Sequence, residues 1–240
     1  TGQMLPDVVF GCLAQAVDDA VPAEGTSCLW NLYAYGGPGR VEADPKQLAD
    51  ADTFTVLSFH SGGAGARPGK DGLSATAFPS GVRNVPVEVT EAISPLIVWR
   101  KEYRLDSGGA GEYRGGLGQT MELGLLQDAP FAFSALFDRI DYPPRGRDGG
   151  DNGGEGAIYL ASGSRLNGKG TQTIPRGERV VVDMPGGGGL GEARMRDPRR
   201  VVDDVRGGLV SADVARSTYR VAIDDNGDVD ENVTQKLRAN

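Results

Sequence analysis

The stretch SGGAGARPGKDG, residues 61–72, is the glycine-dense segment around which the fold has to be built. Residues 64–70 fit the loose form of a phosphate-binding loop, a small residue followed by four others and then Gly-Lys. That loop needs Ser or Thr after the lysine to hold magnesium, and it needs consecutive backbone N–H groups for the phosphates. Here Asp71 follows Lys70, and Pro68 has no N–H. The stretch therefore predicts a turn-rich glycine loop rather than an ATP site. Its side chains either brace the loop or point into a site beside it.

The composition describes an ordinary globular protein with an unusual amount of glycine. The chain has 240 residues, of which 37 are glycine, 39% are hydrophobic and 24% are charged, and its net charge is −8. An acidic balance disfavours a general role in binding nucleic acid or a membrane surface. No run of about 18 apolar residues predicts a membrane span. Two cysteines are too few for a disulfide framework, so we expect a cytoplasmic protein.

The hydrophobic pattern predicts an α+β fold dominated by mixed or antiparallel sheets. Apolar residues at helical spacing over 5–20 predict an N-terminal helix, with Cys12 in its buried face. Asp197 and Ser211 are expected to cap two short helices that form a C-terminal hairpin. Residues 85–93 fit a short helix or a strand. We expect one domain over 1–223 and a mobile polar tail over 224–240. Strands are predicted at LWNLYAY (29–35), TFTVLSFH (53–60), LIVWRKEYRL (96–105), QTMELGLL (119–126), FAFSALF (131–137), AIYLA (157–161) and RVVVDM (179–184).

Two further motifs and the histidine count narrow the possible chemistry. PGGGGLGE (185–192) contains G-x-G-x-x-G, but it follows many strand-like segments instead of opening a βαβ unit, which disfavours a dinucleotide site. DDNGDVDE (224–231) starts like a calcium loop but has Val229 where glycine is required. His60 is the one histidine, so the chain by itself has no His-rich metal cluster, and a Ser–His pair would have to use His60.

Several phrases occur in an order that resembles the C-terminal part of the hydantoinase B/5-oxoprolinase family, which includes the large subunits of acetone and acetophenone carboxylases. They are GGAGARPGKDG (62–72), RNVPVEV (83–89), YRLDSGGAGEYRGGLGQ (103–119), PPRGRDGG (143–150), KGT (169–171), MPGGGGLG (184–191) and RDPRRVVDDVRGGLVSADVAR (196–216). The resemblance runs over nearly the whole chain. Family B chains are about twice as long, so the N-terminal half of the B-type subunit is expected as a partner.

The resemblance also implies a division of labour. A hydantoinase A-type partner subunit would bind ATP and Mg and phosphorylate the substrate oxygen, and the missing half would carry a divalent metal. Three functions stay open: an ATP-dependent hydrolase component for a hydantoin, 5-oxoproline or another lactam, a ketone carboxylase component, or a non-catalytic assembly subunit.

Candidate site residues lie in the glycine loop and in the phrases that follow it. Carboxylates and imidazole can transfer protons, whereas Arg and Lys can bind a carboxylate or a phosphorylated oxygen, and an amide can orient a carbonyl. The catalytic candidates are His60, Asp71, Glu88 and Asp106. The substrate-binding candidates are Arg67, Lys70, Arg83, Asn84 and Arg104. No metal ligand is assigned to this chain.

Overall fold

The computed structural model describes residues 2–17, 20–37, 53–76 and 78–239, and within these ranges the strands form two antiparallel four-stranded sheets. The first sheet has the order β2-β1-β5-β7 and the second has the order β3-β4-β8-β6. The strands are β1 Trp30–Gly36, β2 Phe54–His60, β3 Leu96–Tyr103, β4 Gln119–Leu125, β5 Phe131–Leu136, β6 Ala157–Leu160, β7 Lys169–Ile174 and β8 Val180–Asp183. The helices are α1 Leu5–Leu13, α2 Val87–Ile93, α3 Pro198–Arg206, α4 Ala212–Ser217 and α5 Glu231–Ala239. The predicted α+β class is confirmed.

Apolar side chains from both sheets form the main core. Alternate residues of β1 are buried, as a half-buried strand requires, and Trp30 at its start has no exposed surface. Trp30 stacks on Phe137 with ring centroids 4.2 Å apart. Met121 and Val182 of the second sheet belong to the same buried cluster. Burial of each large side chain contributes about 1.5–3 kcal/mol, so this cluster holds the two sheets together.

Glycine-rich extended segments outside the sheets form a second structural unit, which we call the glycine bundle: residues 22–26, 61–66, 72–76, 107–118, 144–154 and 184–190. Segment 61–66 shows the principle. Ala64 N–H donates to Leu73 at 3.0 Å, while the Ala64 carbonyl accepts from Gly116 at 2.8 Å. Ala66 N–H donates to Gly188 at 2.9 Å. A β-strand bonds to neighbours in one plane, whereas this segment bonds to neighbours on several sides, as polyproline II-like chains can.

Glycine is required in this bundle because the backbones lie closer than a side chain allows. A Cβ atom on Gly63 would lie 1.9 Å from the carbonyl oxygen of Gly116. A Cβ atom on Gly187 would lie 2.0 Å from the carbonyl oxygen of Ala64. The glycine content of the sequence is therefore a packing requirement as much as a requirement for turns.

The C-terminal helices pack on a smaller core that includes Tyr219 and Val201. Asp197 and Ser211 accept hydrogen bonds from backbone N–H groups of α3 and α4, so the predicted caps and hairpin are confirmed. Within the polar tail predicted over 224–240, residues Glu231–Ala239 form helix α5. Thr234 on α5 is buried and accepts a hydrogen bond from the Ala222 N–H at 3.0 Å, because a polar helix can be held by backbone groups as well as by apolar contacts.

The structure corrects the bounds and facing of the N-terminal helix, resolves the helix-or-strand alternative at 85–93, and adds one strand. The N-terminal helix ends at Leu13, and Cys12 is exposed because the helix faces the protein through Asp7 instead. Residues 87–93 form helix α2. Strand β7, which the pattern does not predict, is largely exposed and therefore shows no apolar alternation. Among the described residues, no helix is long and apolar enough to cross a membrane.

Candidate functional site

His60 lies at the point where β2 enters the glycine bundle, and Asn84 is bonded to Ser61, the next residue. The His60 ring is buried, and its Nε2 lies 3.0 Å from the Ser58 hydroxyl. Burial, together with the charge of Lys101, lowers the pKa of His60 to about 3, so the imidazole is neutral at physiological pH. Its Nδ1 has no hydrogen-bond partner among the described residues. A neutral imidazole beside a hydroxyl has the composition of a nucleophile–base pair, but both side chains are enclosed.

Asn84 joins three segments of the chain. Its Oδ1 accepts from the Ser61 N–H at 3.2 Å and from Gln119 Nε2 at 3.0 Å. Its Nδ2 donates to the Ala75 carbonyl at 2.8 Å. The amide of Asn84 therefore fixes the start of the glycine loop against β4 and the loop at Ala75.

Both glycine motifs direct their backbone N–H groups inward. In residues 186–191 each N–H donates to a backbone carbonyl, including Gly187 to Gly116 at 2.8 Å and Gly189 to Asp151 at 2.9 Å. Gly63, Ala64 and Ala66 do the same in the first loop. A nucleotide phosphate would find these donors already occupied. The occupied donors disfavour a nucleotide at either motif for a physical reason that the sequence does not contain.

Asp71 lies in a network of four further charged groups. Its carboxylate accepts from Arg196 at 2.8 and 2.9 Å and from Arg200 at 2.7 Å. Arg196 also reaches Asp204 at 2.7 Å, and Arg114 lies 3.4 Å from Asp204. Burial alone would raise the pKa of Asp71, but the hydrogen bonds and charge of Arg196 lower it. Asp71 is therefore ionised, and it ties the glycine loop to α3.

The remaining candidate site residues fall into two groups, those with hydrogen-bonded side chains and those with exposed side chains. Arg67 donates to the Asp71 carbonyl at 2.9 Å and lines a cavity of about 150 Å³ between the loop and α1. Arg104 donates to the Glu155 carbonyl, and Asp106 accepts from the Ser211 N–H at 2.7 Å. Lys70, Arg83 and Glu88 are exposed, and the charge of Glu88 acts on the ammonium group of Lys101. The structure thus brings together Arg67 with Asp71, places Asn84 against the residue that follows His60, and distributes the others.

A larger cavity of about 460 Å³ was not indicated by the sequence analysis. Its polar floor consists of Asp7, Glu24 and Arg139, with Arg145 at its edge. Arg139 donates to Glu24 at 2.9 Å and to Asp7 at 2.5 Å, and Arg145 Nε donates to Glu24 at 2.8 Å. Residues from distant parts of the chain meet here, and no local spacing connects them. The one available signal was Arg145 within the phrase PPRGRDGG.

The electrostatics of this cavity come from burial and the two arginines. Burial raises the pKa of Asp7. Burial acts in the same direction on Glu24, but the hydrogen bonds from Arg145 and the charge of Arg139 lower the pKa of Glu24 overall. Arg139 has a φ of 65°, a left-handed backbone conformation that is costly for a residue with a side chain. With apolar walls from Met4 and Pro143, the cavity can hold a small polar molecule.

The described residues do not fit a metal centre. No group of three or more His, Cys, Asp or Glu side chains within the described ranges could hold a metal ion. Asp71 and Glu24, the most strongly paired carboxylates, are already neutralised by arginine. No chemical step is therefore assigned to a metal on these residues.

Comparison with known proteins shows clear relatives. The model of the Hydantoinase B/oxoprolinase family matches residues 1–193. The beta subunit of the caprolactamase of Pseudomonas jessenii is 34% identical over 99% of this chain and 41% of that protein. The B-type subunit of a putative D-/L-hydantoinase of Pseudomonas sp. is 28% identical over 99% of this chain and 39% of that protein.

Solved structures agree with the sequence matches. The crystal structure of an ATP-dependent caprolactamase from Pseudomonas jessenii superposes with a TM-score of 0.78 and 31% identity, covering 95% of this chain and 40% of that one. An acetone carboxylase structure shares the fold, with a TM-score of 0.69 and 23% identity over 95% of this chain and 34% of that one. The chain spans about 40% of the length of these curated relatives. On the extent of the family match and the 34% identity to the caprolactamase beta chain, this chain belongs to the hydantoinase B/oxoprolinase family.

Proposed function

We propose that this chain is a component of an ATP-dependent enzyme complex that hydrolyses a cyclic amide such as a lactam, a hydantoin or 5-oxoproline. The observation that carries the proposal is the 34% identity to the caprolactamase beta chain over 99% of this chain. The structural similarity to an ATP-dependent caprolactamase, with a TM-score of 0.78, supports it. Relatives whose names mark them as B-type or beta subunits support an assembly with other subunits.

The chemistry explains why such an assembly divides its work. An amide is a poor electrophile, and transfer of the terminal phosphoryl group of ATP to its oxygen, with release of ADP, makes the carbon more electrophilic. Addition of water and cleavage of the ring C–N bond would then give an acyl phosphate, which a second water hydrolyses to a carboxylate and phosphate. We assign ATP and Mg to a hydantoinase A-type subunit, and a divalent metal to the section of a B-type subunit that this chain does not match. The occupied N–H groups of the glycine motifs and the lack of a metal-binding cluster among the described residues support that division. The dependence of the proposed complex on ATP supports a cytoplasmic location.

We assign two kinds of role to the candidate residues. Lys70, Arg83 and Glu88 are exposed, so they are the residues proposed to contact the substrate or its phosphorylated form. Arg67 is proposed to contact a ligand in the small cavity beside α1. His60, Asp71, Asn84, Arg104 and Asp106 are proposed as positioning residues, because each described side chain is enclosed or bonded within the fold.

The test is an assay of the assembled complex with ATP and a panel of substrates. Release of phosphate that depends on caprolactam, hydantoin or 5-oxoproline is the expected result. Release that depends on acetone and bicarbonate would instead assign the complex to ketone carboxylation. Absence of release with every substrate, in a complex that binds ATP, would contradict both functions.

A second measurement separates substrate contact from an assembly role. Lys70→Ala and Arg83→Ala remove exposed side chains, so the complex should assemble normally and lose at least about tenfold in kcat/KM, the loss typical of one missing charged contact. Arg165→Ala removes another exposed arginine and serves as the control. Equal activity of all three variants would support the non-catalytic assembly role.

A further inference from the structure

Helix α1 contacts the protein through Asp7 and through Phe10, which stacks on Phe78. Asp7 is the buried residue of the helix, and its carboxylate accepts hydrogen bonds from the Ser27 hydroxyl and from Arg139. The contact between Asp7 and Arg139 is enclosed, because both side chains are only 8% exposed. The pair, together with the hydrogen bond from Ser27, holds the helix with Asp7 on its inner side.

As a consequence, the apolar side of α1 points outward. Leu5, Val8, Val9 and Leu13 are 59%, 61%, 52% and 44% exposed, and Val17 in the turn after the helix is 45% exposed. The four helix residues are spaced i, i+3, i+4 and i+8, so they form one continuous stripe. A surface helix of a globular protein normally turns such a stripe toward its own core. We call this stripe, with Val17, the outer face of α1.

The composition of the outer face is that of an interface. Residues 8–17 read VVFGCLAQAV and contain no charged side chain, although the chain as a whole is 24% charged. Depletion of charge with retained apolar bulk is typical of the buried centre of a protein–protein interface. Exposed continuous apolar surface of this kind marks an interaction site.

Two observations identify the occupant. The relatives that match 99% of this chain are about two and a half times longer. In them, the segment that corresponds to α1 therefore folds together with a large additional section of the subunit. A second copy of this chain is disfavoured, because each copy has a net charge of −8 and two copies would repel each other.

We propose that the outer face of α1 is the docking surface for the section of a B-type subunit that lies outside the matched 40%. This inference rests on the division into subunits in the proposed function. The Asp7–Arg139 pair acts as the positioning contact that presents the apolar stripe to that section.

The test places a photo-crosslinking amino acid at Val9 in the complex purified from the source cells. Leu126, which is 73% exposed in the turn after β4, provides the matched control. Crosslinked peptides from Val9 are expected to align with the unmatched section of the caprolactamase beta chain, at a yield about tenfold or more above the control. Val9→Lys should weaken that association by at least about tenfold, because an ammonium group would be buried without a partner.

The alternatives are distinct. Crosslinks to a second copy of this chain, crosslinks to the ATPase subunit, or a yield equal to that at Leu126 would each overturn the proposed surface. A complex that crosslinks as expected but releases no phosphate with any cyclic amide would overturn the proposed function and leave the surface intact. An active complex without the crosslink would overturn the proposed surface and leave the proposed function intact.

Discussion

Gly63→Ala is the sharpest test of the glycine bundle, because the added methyl group meets only backbone. Its Cβ would lie 1.9 Å from the Gly116 oxygen, 2.5 Å from the Gly116 carbonyl carbon and 2.6 Å from the Gly187 nitrogen. Non-bonded carbon atoms prefer separations of about 3.5–4.0 Å, so the segments have to move apart by more than about 1 Å. Backbone held on several sides cannot absorb this by a change of rotamer.

The expected cost follows from the contacts that this movement breaks. The hydrogen bonds from Gly116 N–H to Ala64 and from Gly187 N–H to Gly116 are both 2.8 Å long and adjoin the new methyl group. Overpacking costs about 1–3 kcal/mol and each lost hydrogen bond about 1 kcal/mol, so the free energy of unfolding should fall by about 3–5 kcal/mol. Such a loss is a large part of the ~5–15 kcal/mol that stabilises a typical domain.

Urea unfolding followed by the fluorescence of the buried Trp30 measures this loss. Gly11→Ala is the matched control, because its Cβ meets only one side-chain nitrogen at 4.0 Å and the residue lies within α1. In a helix this change should stabilise by up to about 1 kcal/mol. A Gly63→Ala variant within about 1 kcal/mol of the wild type would refute the close packing of the bundle.

Three further predictions follow from buried groups. Because burial lowers the pKa of His60 to about 3, only the unfolded chain gains its proton between about pH 6.5 and pH 3, so stability should fall by about 1.4 kcal/mol per pH unit as the pH drops. His60→Gln should remove that contribution in urea titrations at pH 6, 5 and 4, and unchanged slopes would contradict the buried neutral ring. Arg196→Met leaves two carboxylates short of a counter-charge and should cost about 3 kcal/mol in the same assay at pH 7, whereas a loss below about 0.5 kcal/mol would mean that the network does not couple the loop to α3. Cys12 should react with a thiol reagent in the native chain and be protected in the complex, while Cys28, whose pKa burial raises to about 11, should react only after unfolding; reaction of Cys12 in the assembled complex would contradict the docking surface.

The strands and caps are readable from local sequence, because their causes are local. Alternation in LWNLYAY specifies a half-buried strand, and Asp197 and Ser211 cap the helices that follow them. Strand β7 and helix α5 escape the pattern for a physical reason. Both are polar and exposed over most of their length, and neighbouring backbone groups hold them instead of an apolar stripe.

The candidate site also combines residues that local sequence indicates with residues that only long-range contacts bring together. Asp71 and Arg67 stand out in the sequence as a possible ligand contact, but Arg196, 125 positions away in the chain, occupies the carboxylate of Asp71. Glu24 and Arg139 do not stand out, because neither has a local pattern and their pairing spans 115 positions. The contacts of these residues are defined by the fold and not by their neighbours in the sequence.

The sequence by itself determined the α+β class, most strand positions, the two helix caps and the family, since periodicity, capping residues and ordered motifs are properties of neighbouring residues. The tertiary structure alone decided what the glycines are for. Gly63 and Gly187 are spaced far apart in the chain, and their need for a bare Cα becomes visible only where the backbones meet. It also decided which way α1 faces. The apolar spacing from Leu5 to Leu13 predicts a buried stripe, but Asp7 pairs with Arg139 on the inner side of the helix and the stripe faces outward, because a contact across 132 positions of the chain has no local signature in the sequence.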